Sequence, residues 1–495
     1  MLKTLDLVII VIYLLGVIAI GLRARGKQED ASDYFTAGGG LGSAFGSLLV
    51  GLSIAATLFS GISFLAYPSV VYVHGVILFM GVALICMPVA WLVLWWFLPR
   101  YLSRDHAQPY DVIERKFGPH TRTLAAVMYV MMRIGWMAAL IYAPSLAIMA
   151  ATGLSAAWFW PIVFTIGLTS TLYTVFGGIR SVIVTDAIQF CVIALGIALT
   201  IGYIFWHIPV PIGEAVTDLN TTGHFHWLDF NLSPKAPLTF WTVGLGVTIA
   251  NLGNYVADQM SLQRYLAGGS PKAALRSFTI NVFGVLIVLL LLVGVGLAIN
   301  AWYRAVQDPN LPTKIDDIFP YFLASQLPAG ISGLLLAALI AATMSSMTSG
   351  INTLAGAITM DFRTRLGGPI TPAQQLTFGR WSSLVIGLAS TVVAGVVNRL
   401  GSLFDLTQII LGVFAGPLLV CVLMAVSPVR ASGRWMAAGL IAGCLVGWVA
   451  AFSSAIASLW VAPCAAATTM LFVFIGTLIP AGSPAESSLQ QDPAR

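Results

Sequence analysis

Apolar runs of roughly 20 residues recur from one end of this chain to the other, each long enough to cross a bilayer as a helix. In hydrocarbon every backbone N–H and C=O must find its partner inside the structure, so runs of this kind fold as helices. Hydrophobic residues make up 58% of the 495 and charged residues only 9%, against about 25% charged in soluble domains. Lipid is therefore the solvent, and a multi-pass protein of the plasma (inner) membrane is expected. Thirteen spans are predicted, at 5–22, 42–66, 75–98, 123–151, 156–176, 181–206, 238–257, 277–301, 329–360, 378–397, 400–426, 434–452 and 456–480.

The basic residues orient these spans. Eighteen, Arg264 among them, fall on one side and five on the other, with Arg133 inside a span. The N-terminus is then outside and the C-terminus cytoplasmic, which an odd span count requires. The net charge of +5 sits in short loops and does not suggest nucleic acid. The first run lacks a basic leader and a small-residue cleavage site, which marks a retained span. Cys86, Cys191, Cys421, Cys444 and Cys464 lie within apolar segments and read as packing residues, neither disulfides nor metal ligands. The outward loops 207–237, with His224 and His226, and 302–328 read as solvated; the tail 482–495 reads as disordered. No HExxH, GxSxG or clustered carboxylate pair points to an enzyme.

The stretch SSMTSGINTLA (345–355) puts hydroxyls at membrane depth. Ala342, Ser345, Ser346 and Ser349 follow the i, i+3, i+4, i+7 spacing and share one helix face. Such a face can hold a dehydrated alkali cation, or it can pack helices. Spans 42–66 and 238–257 are poor helices: Gly51, Ser53, Thr57, Ser60, Gly61 and Ser63 crowd the first, and Gly244, Gly246, Asn251, Gly253 and Asn254 the second. They open two successive groups of five spans, 42–206 and 238–426. Interrupted helices at matched positions of two halves point to a transport site at an inverted-repeat interface.

Two ionisable groups, Arg133 and Asp186, lie well inside spans. A charge at a helix centre costs ~2.5–3.5 kcal/mol and is functional by default. Asp186 could neutralise a bound cation or relay a proton; Arg133 invites a carboxylate. The two could also pair with each other. Asp258 and Asp405, near span ends, read as water-facing or capping residues.

The stretches DYFTAGGGL (33–41), LSIAATLFSGISFLAYPSVVYVHG (52–75), YAPSLA (142–147), GGIRSVIVTDAIQ (177–189), DQMSLQRYLA (258–267), SSMTSGINTLA (345–355) and FDLTQIILGVFAGP (404–417) resemble the sodium/solute symporter family. The likeness is greatest to its sialic acid symporters and its iodide, monocarboxylate and vitamin branch. The resemblance implies an all-α polytopic membrane protein with a LeuT-like 5+5 inverted repeat. An extra span (5–22) precedes the repeats and two C-terminal spans (434–480) follow them. It implies Na+ bound by the carbonyls of Ala56, Phe59 and Ala342 and the hydroxyls of Ser345 and Ser346. A second Na+ would use Asp186, Ser345, Thr348 and Ser349. Ser60, Ser63, Arg133 and Gln408 match solute-contacting positions, and Leu58 departs from the sialic acid pattern, where a threonine stands. The implied function is sodium-coupled import of a small organic solute, of the carboxylate-bearing kind, by alternating access. A proton-coupled or uncoupled carrier of the same fold is the alternative. The implied partners are the solute and the lipid bilayer; the oligomeric state is left open, a monomer being compatible with the reading.

Overall fold

The apolar runs form helices in a computed structural model that describes residues 3–24, 31–37, 40–103, 108–363, 371–395 and 403–478. In chain order, α1 is Thr4–Ala24, α2 Ala31–Thr36, α3 Ala44–Leu58, α4 Gly61–His74, α5 Ile77–Gly81, α6 Met87–Leu102 and α7 Asp111–Phe117. Then come α8 (Pro119–Thr152), α9 (Phe159–His207), α10 (Ile212–Thr221), α11 (Thr248–Leu252), α12 (Gln259–Ala267) and α13 (Pro271–Val306). The last six are α14 (Ile315–Ser325), α15 (Ile331–Gly356), α16 (Pro372–Ala394), α17 (Leu403–Val426), α18 (Gly433–Ala451) and α19 (Val461–Leu478). Among the described residues ten helices are long and apolar enough to span, or eleven if α3 and α4 count as one bent span. The 49 residues of α9 would measure roughly 74 Å as one rod, over twice the ~30 Å hydrocarbon core. Gly178, at φ 60° and ψ −166°, breaks it into two.

Two helices are interrupted. The first break bends α3 from α4 by 64°. Phe59 and Ser60 leave helical geometry there, and Ser60 caps α4 by accepting from Ser63 N at 3.2 Å. The next residue must be small, because a Cβ on Gly61 would lie 2.1 Å from Thr343 Oγ1 of α15 and 2.5 Å from Pro144 of α8. The second interrupted helix runs through π-helical turns at Thr242–Val247 and Gly253–Ala257 around α11. It breaks at Asp258, whose extended backbone and side chain cap α12.

Several span limits differ from those the sequence predicts. Span 42–66 continues to His74, ending at Gly75, where φ is +67° and a Cβ would meet His224 O at 2.1 Å. Span 238–257 continues through α12, whose sequence QMSLQRYLA is polar enough to read as a loop although almost all of it is buried. The loops 207–237 and 302–328, expected to face outward, carry α10 and α14, and α14 buries Phe319, Phe322 and Leu323. His224 is no solvated loop residue: it is buried, with Nε2 3.1 Å from Tyr72 O and Nδ1 2.9 Å from Thr222 Oγ1. The tail 482–495 lies outside the described residues.

The centre of the bundle is α15, buried without interruption from Leu335 to Gly356. It packs against α9, α8 and α1. Helix α1 turns Leu5, Leu7, Val11, Ile12 and Leu15 outward as a lipid-facing stripe. Its Asp6 is turned inward, 1% exposed, and accepts from Gly330 N at 2.7 Å and Gly333 N at 2.8 Å. The extra N-terminal span thus caps the N-terminus of α15, where the helix dipole favours a carboxylate.

Candidate ion and solute site

The break in the first interrupted helix faces the hydroxyls of α15. Ser345 Oγ donates to Ala56 O at 3.0 Å and to Ala342 O at 3.1 Å. Ser346 Oγ donates to Thr57 O at 2.9 Å and to Ala342 O at 3.2 Å. Ala56, Ala342, Ser345 and Ser346 are therefore gathered at one point. Thr57 O, which the sequence reading did not include, joins them. Phe59 sits at the break, 5% exposed. All the gathered atoms are neutral oxygens, hard ligands that suit an alkali or alkaline-earth ion and not a softer transition metal. The carbonyls are available because α3 ends here, leaving its last C=O groups without intrahelical partners.

A charged knot lies beside this point. Asp186 is fully buried. Its Oδ2 accepts from Ser53 Oγ at 2.7 Å, Thr57 Oγ1 at 3.3 Å and Ser349 Oγ at 3.4 Å. It also accepts from Arg264 Nη2 at 2.9 Å. Arg264 is 1% exposed. Its Nε donates to Ser53 Oγ at 2.8 Å, its Nη1 to Met260 O at 2.9 Å, and its Nη2 also reaches Ser349 Oγ. This corrects one expectation: Arg264 belongs to no loop, because α12 carries it into the core. Of the residues expected to hold a second Na+, Ser349 reaches Asp186. Ser345 is turned to Ala56 and Ala342, Thr348 Oγ1 donates to Ser345 O at 3.2 Å, and the cation balancing Asp186 is Arg264. Asp186 Oδ1 has no hydrogen-bond partner among the described residues.

The second break supplies the wall of a cavity of about 80 Å3 lined by Ser63, Tyr67, Arg133, Trp136, Asn251 and Asp258, among others. Arg133 does not pair with Asp186; its guanidinium forms an ion pair with Asp258. Asp258 caps α12, accepting from Met260 N at 2.8 Å, but it faces no water: it is 3% exposed and Arg133 4%. Ser60 does not line this cavity, since its hydroxyl is fully buried in the cap of α4. Gln408 lies on α17, and its side chain is outside the described residues. Asn251, Asn254 and Asp258 all line the cavity. Their i, i+3, i+7 spacing was visible in the sequence and would have marked Asp258 as belonging to that face.

A multi-pass helical bundle with two interrupted helices around a central cavity, and an oxygen-lined point beside one break, has the build of an alternating-access carrier. The sodium:solute symporter family matches residues 34–447. The chain belongs to that family. The sodium/sialic acid symporter NanT of Aliivibrio fischeri is 27% identical over 482 residues, covering 96% of this chain and 90% of that one. The human sodium/iodide cotransporter is 28% identical over 444 residues, covering 87% and 66%. Sodium-coupled monocarboxylate transporter 2 of Bos taurus is 28% identical over 434 residues, covering 86% and 68%. A substrate-bound, outward-open Na+-coupled sialic acid symporter has the same fold, with a TM-score of 0.85 at 24% identity over 97% of this chain and 99% of that one. The nucleobase-cation-symport-1 transporter Mhp1 shares it more distantly, with a TM-score of 0.56 at 14% identity over 89% and 95%.

Proposed function

We propose that this symporter binds Na+ between the end of α3 and the middle of α15, and carries its solute in the cavity between α4, α8 and the second break. The observation that carries this reading is the convergence of Ser345 Oγ, Ser346 Oγ, Ala56 O and Ala342 O at 3.0–3.2 Å. Phe59 O would complete the set when the hydroxyls release the carbonyls. A second Na+ would approach Asp186 from its unpartnered Oδ1 and would have to draw Ser345, Thr348 and Ser349 towards it. A proton-coupled carrier is less favoured, because Asp186 Oδ2 is already engaged by the Arg264 guanidinium and by the Ser53, Thr57 and Ser349 hydroxyls.

Splitting α9 at Gly178, and joining each interrupted helix across its break, yields thirteen spans. Their repeats are 42–206 and 238–426, flanked by 5–22 and 434–480, with the N-terminus outside. The solute is a small organic molecule bearing a carboxylate; relatives named for sialic acid and monocarboxylates support that class. One net positive charge moved per cycle gains ~2.3 kcal/mol per 100 mV, roughly fiftyfold accumulation from voltage alone.

Solute uptake into proteoliposomes under an inward Na+ gradient, with K+ as control, tests the reading. Uptake is expected only with Na+. Ser346→Ala should raise the half-saturating Na+ concentration, and an unchanged Na+ dependence would move the ion elsewhere.

A further inference from the structure

The Arg133–Asp258 pair sits in the wall of the solute cavity, and from it we propose that the solute is a small zwitterion. Its carboxylate takes Arg133 and its ammonium takes Asp258. The inference rests on the cavity assigned above and narrows what enters it.

The two charges come from different elements, Arg133 from α8 and Asp258 from the break before α12, and both line the cavity. Neither is free to follow a departing partner into water, at 4% and 3% exposure. Asp258 is held in place by Met260 N, which donates to Oδ1 at 2.8 Å. Arg133 Nε has no hydrogen-bond partner among the described residues. The other charge lining the cavity, Arg264, is balanced by Asp186 behind it. The charges here therefore cancel in pairs.

This balance discriminates between solutes. A bare carboxylate that took the place of Asp258 on Arg133 would strand the Asp258 carboxylate in a buried site, where an unpaired charge is very costly. A bare amine on Asp258 would strand Arg133 in the same way. A neutral polyol would leave the ion pair closed and engage neither charge. A zwitterion replaces each partner with an equivalent one and strands neither. Asn251 and Asn254 line the same cavity and carry amide oxygens able to accept ammonium protons.

The test uses the full-length protein purified in detergent, with thermal midpoint as readout, in NaCl and in KCl. The probes are the proteinogenic amino acids and glycine betaine, with charge-edited analogues of the same skeletons. Proline is set against cyclopentanecarboxylate and pyrrolidine, alanine against propionate and ethylamine, and erythritol serves as a neutral control. At least one zwitterion is expected to raise the midpoint in NaCl, and its carboxylate-only and amine-only analogues should need at least a hundredfold higher concentration. Asp258→Asn should move the preference towards the carboxylate-only analogue. A monocarboxylate, amine or polyol that matches the best zwitterion overturns the proposal. So does a panel in which no zwitterion shifts the midpoint, or an Asp258→Asn protein with the original ranking. If that variant does not fold, the wild-type ranking decides alone. A stabilisation by Na+ without any solute reports the ion site separately. Its loss would count against the function proposed above, whereas its presence with a carboxylate-first ranking would count only against the zwitterion.

Discussion

The residues of the break between α3 and α4 are neutral, although the Arg264–Asp186 pair lies beside it on Ser53 and Thr57, whereas the break before α12 carries its own charge. At the first, Ser60 caps the new helix and the exposed carbonyls of Ala56 and Thr57 meet serine hydroxyls. At the second, Asp258 caps the new helix and pairs with Arg133, and Arg264 six residues further on pairs with Asp186. The contrast fits the roles proposed for the two breaks. An ion that enters and leaves once per cycle needs ligands that solvate it without trapping it, and neutral carbonyl and hydroxyl dipoles do that. A site that must tell solutes apart gains from buried charges, because a mismatched ligand leaves one unpaired.

The largest expected effect tests the charged side. Arg264→Ala leaves the Asp186 carboxylate buried without its cation and should cost about 3–5 kcal/mol of stability, read as a large fall in thermal midpoint. Arg264→Met combined with Asp186→Leu should recover most of that loss. If the single variant is as stable as wild type, Asp186 has another partner. Next comes the fit of the neutral break against α15. Gly61→Ala places a Cβ 2.1 Å from Thr343 Oγ1 and should cost about 1–3 kcal/mol by overpacking, while Gly61→Ala with Thr343→Ala should restore part of it.

Ser346→Ala sharpens the comparison from the ion side. Its hydroxyl bridges Thr57 O and Ala342 O, so its loss should raise the half-saturating Na+ concentration about tenfold, equivalent to ~1.4 kcal/mol, as measured by Na+-dependent uptake. The smallest effect belongs to the cap at the neutral break. Ser60→Ala should cost about 1 kcal/mol by thermal melt, with Ser60→Thr restoring part of it. Were Ser60→Ala to destabilise as much as Arg264→Ala, the division into a neutral and a charged break would fail.

Much of this architecture could be read before any coordinates. Burial in lipid writes itself into composition, so the spans appear as apolar runs. The breaks appear as glycine, serine and asparagine where a helix ought to be strongest. The α15 face of Ala342, Ser345 and Ser346 was visible because three- and four-residue spacing is a property of the helix itself. Two errors shared one cause. Helix α12 is short and polar, and a hydropathy reading places such a segment in water. Its burial depends on Asp186, Ser53 and Thr57, which arrive from α9 and α3 to satisfy Arg264. The same holds for Asp6, a polar residue at the tip of an apolar span whose partners lie more than 300 residues away.

The sequence by itself therefore determined that the chain crosses a membrane many times as helices, that two of those helices are interrupted, and that a ridge of hydroxyls lies at mid-depth. These are local matters, decided by backbone satisfaction in hydrocarbon and by helical periodicity. Only the tertiary structure decided which buried charges meet: Arg133 with Asp258, and Arg264 with Asp186. Pairing of that kind depends on which helices pack together. A charge inside a bundle carries no mark of its partner along the chain, because the energy that keeps it there comes from elements far away in sequence.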